Sequence, residues 1–364
     1  MVRAIITPGR PRTGARAAQQ QSAALSWRAE LGTILIGQWL MLGLAIDGWA
    51  HHNRPNLENF FTPWHGLLYS GYAASAVWLI GLIWQQRRAG RIGRAAIPRG
   101  YELGLVGVVL FGLAGLADLL WHETIGIEQN RKASLSPTHL LLFLGIVLIV
   151  SSPFRAAWSS DDPAHDAPTL RDFLPALLSL SGAASIVGAM HIWLWGFAYL
   201  HDGAAAALAV PAVAQAATAD LDLAMILITT VLLLTPLLLV LRRWRPPFGT
   251  ATILFGTLAG LLCAVTGFRQ PTDVGVAIVV GLVADTLIRR YEPRPARPGA
   301  FRLVASLVPL ALWALHFAVT ALFPGGVAWP PEYWAGITLL AGLTGLALSL
   351  LVVPPALPDH ARGH

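Results

Sequence analysis

The chain consists of long apolar runs separated by short polar segments. Ten such runs can be marked, at residues 31–50, 64–85, 101–122, 137–157, 174–200, 222–242, 248–268, 271–289, 301–323 and 333–354. An α-helix needs about 20 apolar residues to cross the ~30 Å hydrocarbon core of a bilayer, and these runs are close to that length. The pattern predicts an all-α fold, a polytopic integral membrane helical bundle of about ten transmembrane helices.

Composition supports the membrane class. Of the 364 residues, 55% are hydrophobic and only 12% are charged, which leaves too little charge to coat a soluble domain. Cys263 is the only cysteine and lies inside the seventh run, so one chain cannot form a disulfide or a thiolate metal site. Phosphate-binding, nucleotide-binding and nucleophile-elbow motifs are absent from the sequence, so functions that depend on them have no support.

The distribution of charged residues along the chain predicts the membrane topology. The net charge is +6, and the arginines are concentrated before the first run and in the loops after the second, sixth and eighth runs. The positive-inside rule places these segments in the cytoplasm. We therefore expect both termini inside, in a multi-pass protein of the plasma or inner membrane. The same distribution makes the lipid bilayer the expected partner and argues against nucleic acid.

An internal repeat appears in the first third of the chain. The stretch "DGWAHHNRPNLENFFTPWH" at 47–65 has an echo in "DLLWHETIGIEQNRKASLSPTH" at 118–139. Both contain an aspartate, a histidine four residues later, a glutamate, and a second histidine after a Pro-x pair. The repeat divides the chain into a disordered basic arm (1–30), a four-helix metal-binding half (31–157), a six-helix C-terminal half (172–354) and a cytoplasmic tail (355–364).

Helical geometry brings the members of each copy together. Asp47 and His51 are four residues apart, so both project from one face at the end of the first span. Thr62 is a natural N-cap and Pro63 a natural first helical residue, which places His65 in the first turn of the second span. The second copy repeats this arrangement in the third and fourth spans. With both termini inside, every member of both copies lies at the extracytoplasmic face.

A carboxylate and two imidazoles form a three-ligand set for copper, zinc or iron. The predicted metal ligands are Asp47, His51 and His65 in the first copy and Asp118, His122 and His139 in the second. The loop glutamates, Glu58 and Glu128, are the predicted catalytic residues, which would orient an imidazole or move protons. The alternative is that these groups are solvated or cap helices, since charge costs little near a helix end.

The segments "DGWAH", "FFTPWH", "WHETIGIE" and "SPTH" resemble the two metal-binding stretches of the C subunit of copper membrane monooxygenases, the particulate methane and ammonia monooxygenases. The resemblance covers about residues 31–155. It implies one copper site at the first copy and a neighbouring site at the second. That family usually has asparagine where this chain has Asp118, and the extra carboxylate makes the second site more anionic. No segment resembles the soluble domains of the family's B subunit.

These features favour a copper oxidoreductase of the monooxygenase kind, which would oxidise a small apolar substrate with dioxygen. Electrons would come from a quinol or a partner, and partner subunits or a homo-oligomer are compatible with this. The alternative is a protein that binds or handles copper or zinc without catalysis. Only four methionines and one cysteine are present, which disfavours copper(I) traffic. Zinc hydrolysis and bis-histidine haem binding stay open, although haem gains nothing from the adjacent aspartates.

Further polar residues lie in the C-terminal half. His191, in the fifth run, is expected to face the bundle, because a lipid-facing histidine is costly. His316, inside the ninth run, is a functional candidate as an ionisable group within the membrane. Asp285 is expected to pair with Arg289 four residues later. The segment 323–334 would cover the site or anchor a helix.

Overall fold

The computed structural model describes residues 24–54, 60–126, 135–161, 166–204 and 215–355, and all regular secondary structure in these ranges is helical. The α-helices, in chain order, are α1 (Trp27–Asn53), α2 (Pro63–Arg88), α3 (Glu102–Thr124), α4 (Pro137–Val150), α5 (Ser152–Trp158), α6 (Leu170–Met190), α7 (Gly196–Tyr199), α8 (Gln215–Arg243), α9 (Thr250–Val265), α10 (Pro271–Tyr291), α11 (Pro298–Thr320) and α12 (Pro331–Val352). The predicted arm and tail lie largely outside the described residues.

The helices confirm an all-helical, multi-pass membrane bundle. Within the described ranges, eight are long and apolar enough to cross a bilayer, namely α1, α2, α3, α6, α8, α10, α11 and α12. The pair α4 and α5 passes the same test as one span bent by 48°, whereas α9 has only 16 residues and is shorter than a full span. A count of ten spans and the inside location of both termini therefore stay predictions.

The fifth predicted span, 174–200, differs from the structure. Helix α6 ends at Met190, and a 3₁₀ turn over Ile192–Leu194 leads into the short α7. The backbone N–H of Gly196 donates to the Thr229 hydroxyl at 2.8 Å instead of to a carbonyl of its own helix. Irregular backbone at membrane depth is tolerated only where protein groups satisfy it, and Thr229 provides that here.

The helix starts match the predicted caps. The Thr62 hydroxyl accepts the backbone N–H of His65 at 3.2 Å, with Pro63 at the first helical position of α2. Ser136 does the same for His139 at 3.3 Å at the start of α4. Each cap satisfies a backbone donor that a helix leaves unpaired. Both histidines are therefore held at a defined point in the first helical turn.

Helices α1 and α2 form a tightly packed hairpin. A Cβ atom at Gly43 would lie 2.7 Å from the Leu68 Cα, and one at Gly71 would lie 2.7 Å from the Leu40 Cα. Two glycines, one from each helix, thus let the two backbones approach closely, as small residues do in membrane helix pairs. This close contact positions Asp47 and His51 opposite His65.

The hairpin gives a first prediction. Gly43→Ala is expected to destabilise the protein by about 1–3 kcal/mol, the usual cost of overpacking. Gly37→Ala is the matched control in the same helix, because a Cβ there would meet no atom within 4 Å. It should be neutral or stabilising by up to ~1 kcal/mol. Thermal unfolding in detergent measures the difference, and equal melting temperatures for the two variants would contradict the close-packed hairpin.

The buried apolar residues form two clusters. One contains residues of α1–α4 together with Ile186 of α6, and the other extends from α6 to α12. Helix α6 packs against α1, α4 and α9 and so lies between them. The Asn53 side chain donates to the Val265 carbonyl at 3.0 Å, which joins the end of α1 to the end of α9. These two helix ends therefore lie at the same face of the bundle.

Candidate metal centre

The first Asp-His-His set lies where α1 ends and α2 begins. His65 Nε2 is 3.6 Å from Asp47 Oδ1, His51 Nε2 is 3.9 Å from Asp47 Oδ2, and the two Nε2 atoms are 3.4 Å apart. One ligand atom from each of the three residues lies within 4.8 Å of the other two. The spacing of Asp47 and His51 on one helical face, together with the cap at Thr62, brings three potential ligands to one point.

The ring of His65 is fixed by its neighbours. Its Nδ1 lies 2.7 Å from the Phe60 carbonyl oxygen and 3.1 Å from the Thr62 hydroxyl. The Phe60 ring stacks on the imidazole at 4.9 Å with an interplanar angle of 14°. A proton on Nδ1 therefore donates to the carbonyl, which leaves the lone pair on Nε2, the atom 3.4 Å from His51 Nε2. A metal-binding histidine usually donates its second nitrogen in this way.

The second set lies where α3 ends and α4 begins. His122 Nε2 is 3.7 Å and His139 Nδ1 is 3.8 Å from Asp118 Oδ1. Ser136 Oγ lies 2.5 Å from His139 Nδ1, and the Thr138 hydroxyl donates to Asp118 Oδ1 at 2.7 Å. The ligand atoms again lie within 4.8 Å of one another. This carboxylate is more strongly held than that of Asp47, because it has a hydroxyl donor of its own.

The two sets are neighbours. The rings of His51 and His139 are 6.1 Å apart, and those of His65 and His122 are 6.0 Å apart, centroid to centroid. The structure therefore brings all six predicted ligands together at one end of the first four helices, α1–α4. Which side of the membrane this end faces stays a prediction.

The residues fit a metal ion by burial and by chemistry. Asp47 is 7% exposed and Asp118 only 1%. Asp47 Oδ1 is buried and accepts no hydrogen bond from any described residue. A buried carboxylate is costly unless it is hydrogen-bonded, paired with a charge or bound to a metal. Two carboxylates among four imidazoles match the nitrogen and oxygen ligands that zinc, copper and iron prefer.

A cavity of about 80 Å³ opens beside both sets. Asp47, His51, His65, Asp118 and His139 form its polar wall. The rest of the lining is mainly apolar and comes from α1, α2, α4, α6 and α9, including Leu68, Leu142, Phe143, Ile146, Leu261 and Val265. A small apolar molecule in this cavity would lie directly beside the candidate ligands.

His52 also lines the cavity, although the sequence pattern does not single it out. The centroid of its ring lies 4.3 Å from that of Trp193 at an interplanar angle of 34°, and its Nε2 is hydrogen-bonded to the Tyr199 hydroxyl. The Arg269 guanidinium lies 5.4 Å from the Tyr199 ring. The only signal in the sequence is that His52 directly follows His51, and the contacts themselves come from residues more than 140 positions away.

Glu58 and Glu128, the predicted catalytic residues, lie outside the described residues. Within the described residues, the candidate centre therefore consists of the six predicted metal ligands. The roles of the two glutamates stay predictions.

Two expectations for the C-terminal half are wrong. His191 does not face the bundle: it is exposed where α6 ends, and its Nδ1 lies 2.8 Å from the Val187 carbonyl of the same helix. Asp285 does not pair with Arg289. Its carboxylate instead accepts the backbone N–H groups of Ala251 and Thr252 at 2.9 and 3.1 Å. Asp285 of α10 is buried against the first turn of α9 and caps that helix. A rule based on local spacing cannot predict this contact, because it joins two different helices.

His316 is buried between two carboxylates. Its Nδ1 is 2.8 Å from Asp273 Oδ1, and its Nε2 is 2.6 Å from Asp202 Oδ2. All three side chains are less than 10% exposed. Because both ring nitrogens face a carboxylate oxygen, an imidazole protonated at both nitrogens donates one hydrogen bond to each carboxylate. The sequence singles out His316 but not Asp202, which is 114 residues away from the histidine.

Comparison of the chain with protein-family models, with curated proteins and with solved structures finds no match in any of the three.

Proposed function

We propose that the chain is a membrane metalloprotein that binds two copper ions, one at each Asp-His-His set, and oxidises a small apolar substrate with dioxygen. The observation that carries the proposal is the adjacency of the two sets beside one mainly apolar cavity. A site for a small apolar substrate needs such a cavity within reach of its reactive group.

The choice of copper has two supports. Imidazole and carboxylate ligands suit divalent copper, zinc and iron, and the Irving–Williams order favours copper among them. The resemblance of residues 31–155 to the C subunit of copper membrane monooxygenases points to the same metal. Asp118, in place of that family's asparagine, adds a negative charge that favours a divalent ion. Zinc or iron is the alternative occupant.

Bound copper would supply the redox chemistry with dioxygen, and the protein residues have separate tasks. Three protein ligands in each set leave a coordination position open for a reactant. The Phe60 carbonyl holds His65 in the tautomer that leaves Nε2 free, and Thr138 orients Asp118. The apolar lining of the cavity limits water and admits substrate from the lipid. Glu58 and Glu128 would move protons, and a quinol or a partner subunit would supply electrons.

A second candidate function is the binding and release of copper or zinc without catalysis. His51 and His139 are each 14% exposed at the side chain, more than Asp118 or His122, and both line the cavity. This exposure gives an ion a route of exchange. A carrier releases its metal readily to a competing chelator, whereas an enzyme retains it through many turnovers, so the rate of exchange separates the two functions.

Metal content of the detergent-purified protein tests the proposal. Wild-type protein loaded with copper is expected to retain two ions per chain. His51→Ala and His122→Ala should each retain one, because each loses one of three ligands at one set. His191→Ala is the matched control, since that histidine is exposed and lies outside the centre. It should retain both ions.

Other outcomes separate the parts of the proposal. If no metal binds even after reconstitution, the repeat is structural and the proposal fails. If zinc or iron is retained in place of copper, the sites stand and the copper assignment fails. If copper is retained in the expected numbers, oxygen consumption with small apolar substrates and a quinol decides between oxidation and metal handling.

A further inference from the structure

A second cavity, of about 360 Å³, lies at the opposite face of the bundle from the metal centre. It is bordered by the loop after α8, the last turn of α10 and the loop that leads to α11. The end of α9 is joined to the end of α1 through Asn53, at the metal face. Because Asp285 of the cavity wall caps the start of α9, the cavity lies at the other end of that helix.

Three arginines line this cavity without a carboxylate partner. Arg245, Arg289 and Arg294 all contribute to its wall, and none forms an ion pair within the described part of the chain. The buried Arg294 Nε also has no hydrogen-bond partner there. Three guanidinium groups around one cavity create a positive potential that an anion between them would neutralise.

The two acidic residues of the cavity wall are already engaged. The Asp285 carboxylate accepts hydrogen bonds from two backbone N–H groups of α9 and from the Thr252 hydroxyl. Glu292 pairs at 3.0 Å with Arg297, which does not line the cavity. Neither carboxylate is therefore available to the three arginines, and the cavity keeps an excess of positive charge.

An exposed apolar stripe on α10 leads to the same cavity. Ile278, Val279, Leu282 and Val283 are 39–46% exposed on one side of the helix. Arg289 follows Ile278 by eleven residues, about three helical turns and ~16 Å, and so projects from nearly the same side. Phe248, at the cavity wall, is 50% exposed. A lipid chain along the stripe would place its headgroup at the arginines.

We propose that this cavity binds the phosphate of an anionic membrane phospholipid, in the leaflet opposite the metal centre. Guanidinium groups match phosphate oxygens with paired N–H donors, and basic cavities at the ends of membrane helices recognise lipid headgroups. A lipid fits this site better than free phosphate, because the three arginines and the exposed apolar stripe lie next to each other. It does not depend on metal binding.

Native mass spectrometry of the full-length protein in detergent tests the site with three probes: phosphatidylglycerol, phosphatidylcholine and inorganic phosphate. Wild-type protein should bind phosphatidylglycerol more tightly than phosphatidylcholine. Each of Arg245→Gln, Arg289→Gln and Arg294→Gln should weaken this binding about fivefold, and the triple variant about a hundredfold. Arg290→Gln is the matched control, because Arg290 neighbours Arg289 but lies over the Tyr291 ring and outside the cavity wall. It should bind like wild type.

Three results would overturn the proposal. The triple variant could bind phosphatidylglycerol as tightly as wild type, or Arg290→Gln could weaken binding as much as Arg289→Gln, which would indicate surface charge alone. Millimolar inorganic phosphate could displace the lipid completely, which would indicate a soluble anion as the ligand. If the triple variant does not fold, the two single variants Arg289→Gln and Arg290→Gln still test the proposal, because both substitutions are at exposed positions.

Discussion

Removal of bound metal with a chelator is expected to lower the free energy of unfolding by about 4 kcal/mol for each ion, which is the stabilisation by one ligand at a thousand times its dissociation constant. The physical reason is the burial of Asp47 and Asp118, which line one cavity in the membrane-spanning bundle. Without a cation, two carboxylates lie buried with mainly imidazoles and apolar side chains as close neighbours. This cost is smaller in the unfolded chain, because water hydrates the carboxylates there.

Thermal unfolding of the detergent-purified protein, with and without chelator, measures this difference. The double variant His51→Ala/His122→Ala is the control, since it has lost one ligand from each set and should show little further change on chelation. A wild-type melting temperature that does not respond to chelator, in protein shown to contain metal, would contradict the prediction. It would mean that the six residues are stable without an ion.

Replacement of His316 by leucine is expected to destabilise the protein by about 3–5 kcal/mol, the usual cost of removing one partner from a buried charged network. The imidazole lies within 2.6 and 2.8 Å of the carboxylates of Asp202 and Asp273. Leucine would leave both carboxylates buried without their shared partner. Because Asp273 lies in the first turn of α10 and Asp202 follows α7, the contact between these elements would loosen.

Two further variants test this explanation. His191→Leu alters an exposed histidine and should change stability by no more than about 0.5 kcal/mol. The triple variant Asp202→Asn/His316→Leu/Asp273→Asn should recover part of the loss, because it removes the two buried charges that the leucine leaves uncompensated. If His316→Leu unfolds like wild type, the three groups are not a stabilising network. Circular dichroism and thermal unfolding in detergent provide the measurements.

The grouping of the two Asp-His-His sets could be predicted from the sequence because the contacts within each set are local. Asp47 and His51 are one helical turn apart, and His65 is held by a cap three residues before it. Periodicity and capping rules are sufficient for such contacts. The duplication added a check, since both copies had to reach the same end of the bundle.

The remaining features depend on contacts between distant segments. The bond between His52 and Tyr199 joins residues 147 positions apart, and that between His316 and Asp202 joins residues 114 positions apart. An apolar run also predicts where a helix can cross a membrane, but it does not show where the chain within that run stops being helical. The irregular segment after Met190 is supported in part by Thr229, which is distant in sequence and accepts the N–H of Gly196.

The crossed contacts between the histidines are those of a twofold-symmetric dimer. The first histidine of one copy, His51, faces the second histidine of the other, His139, and His65 faces His122 in the reverse sense. A pair of surfaces in which residue i meets j and j meets i is isologous, as in homodimers. In this contact pattern the first four helices, α1–α4, resemble two fused helical hairpins. Each hairpin carries one complete Asp-His-His set, so pairing the two hairpins places two sets side by side without sharing a ligand between them.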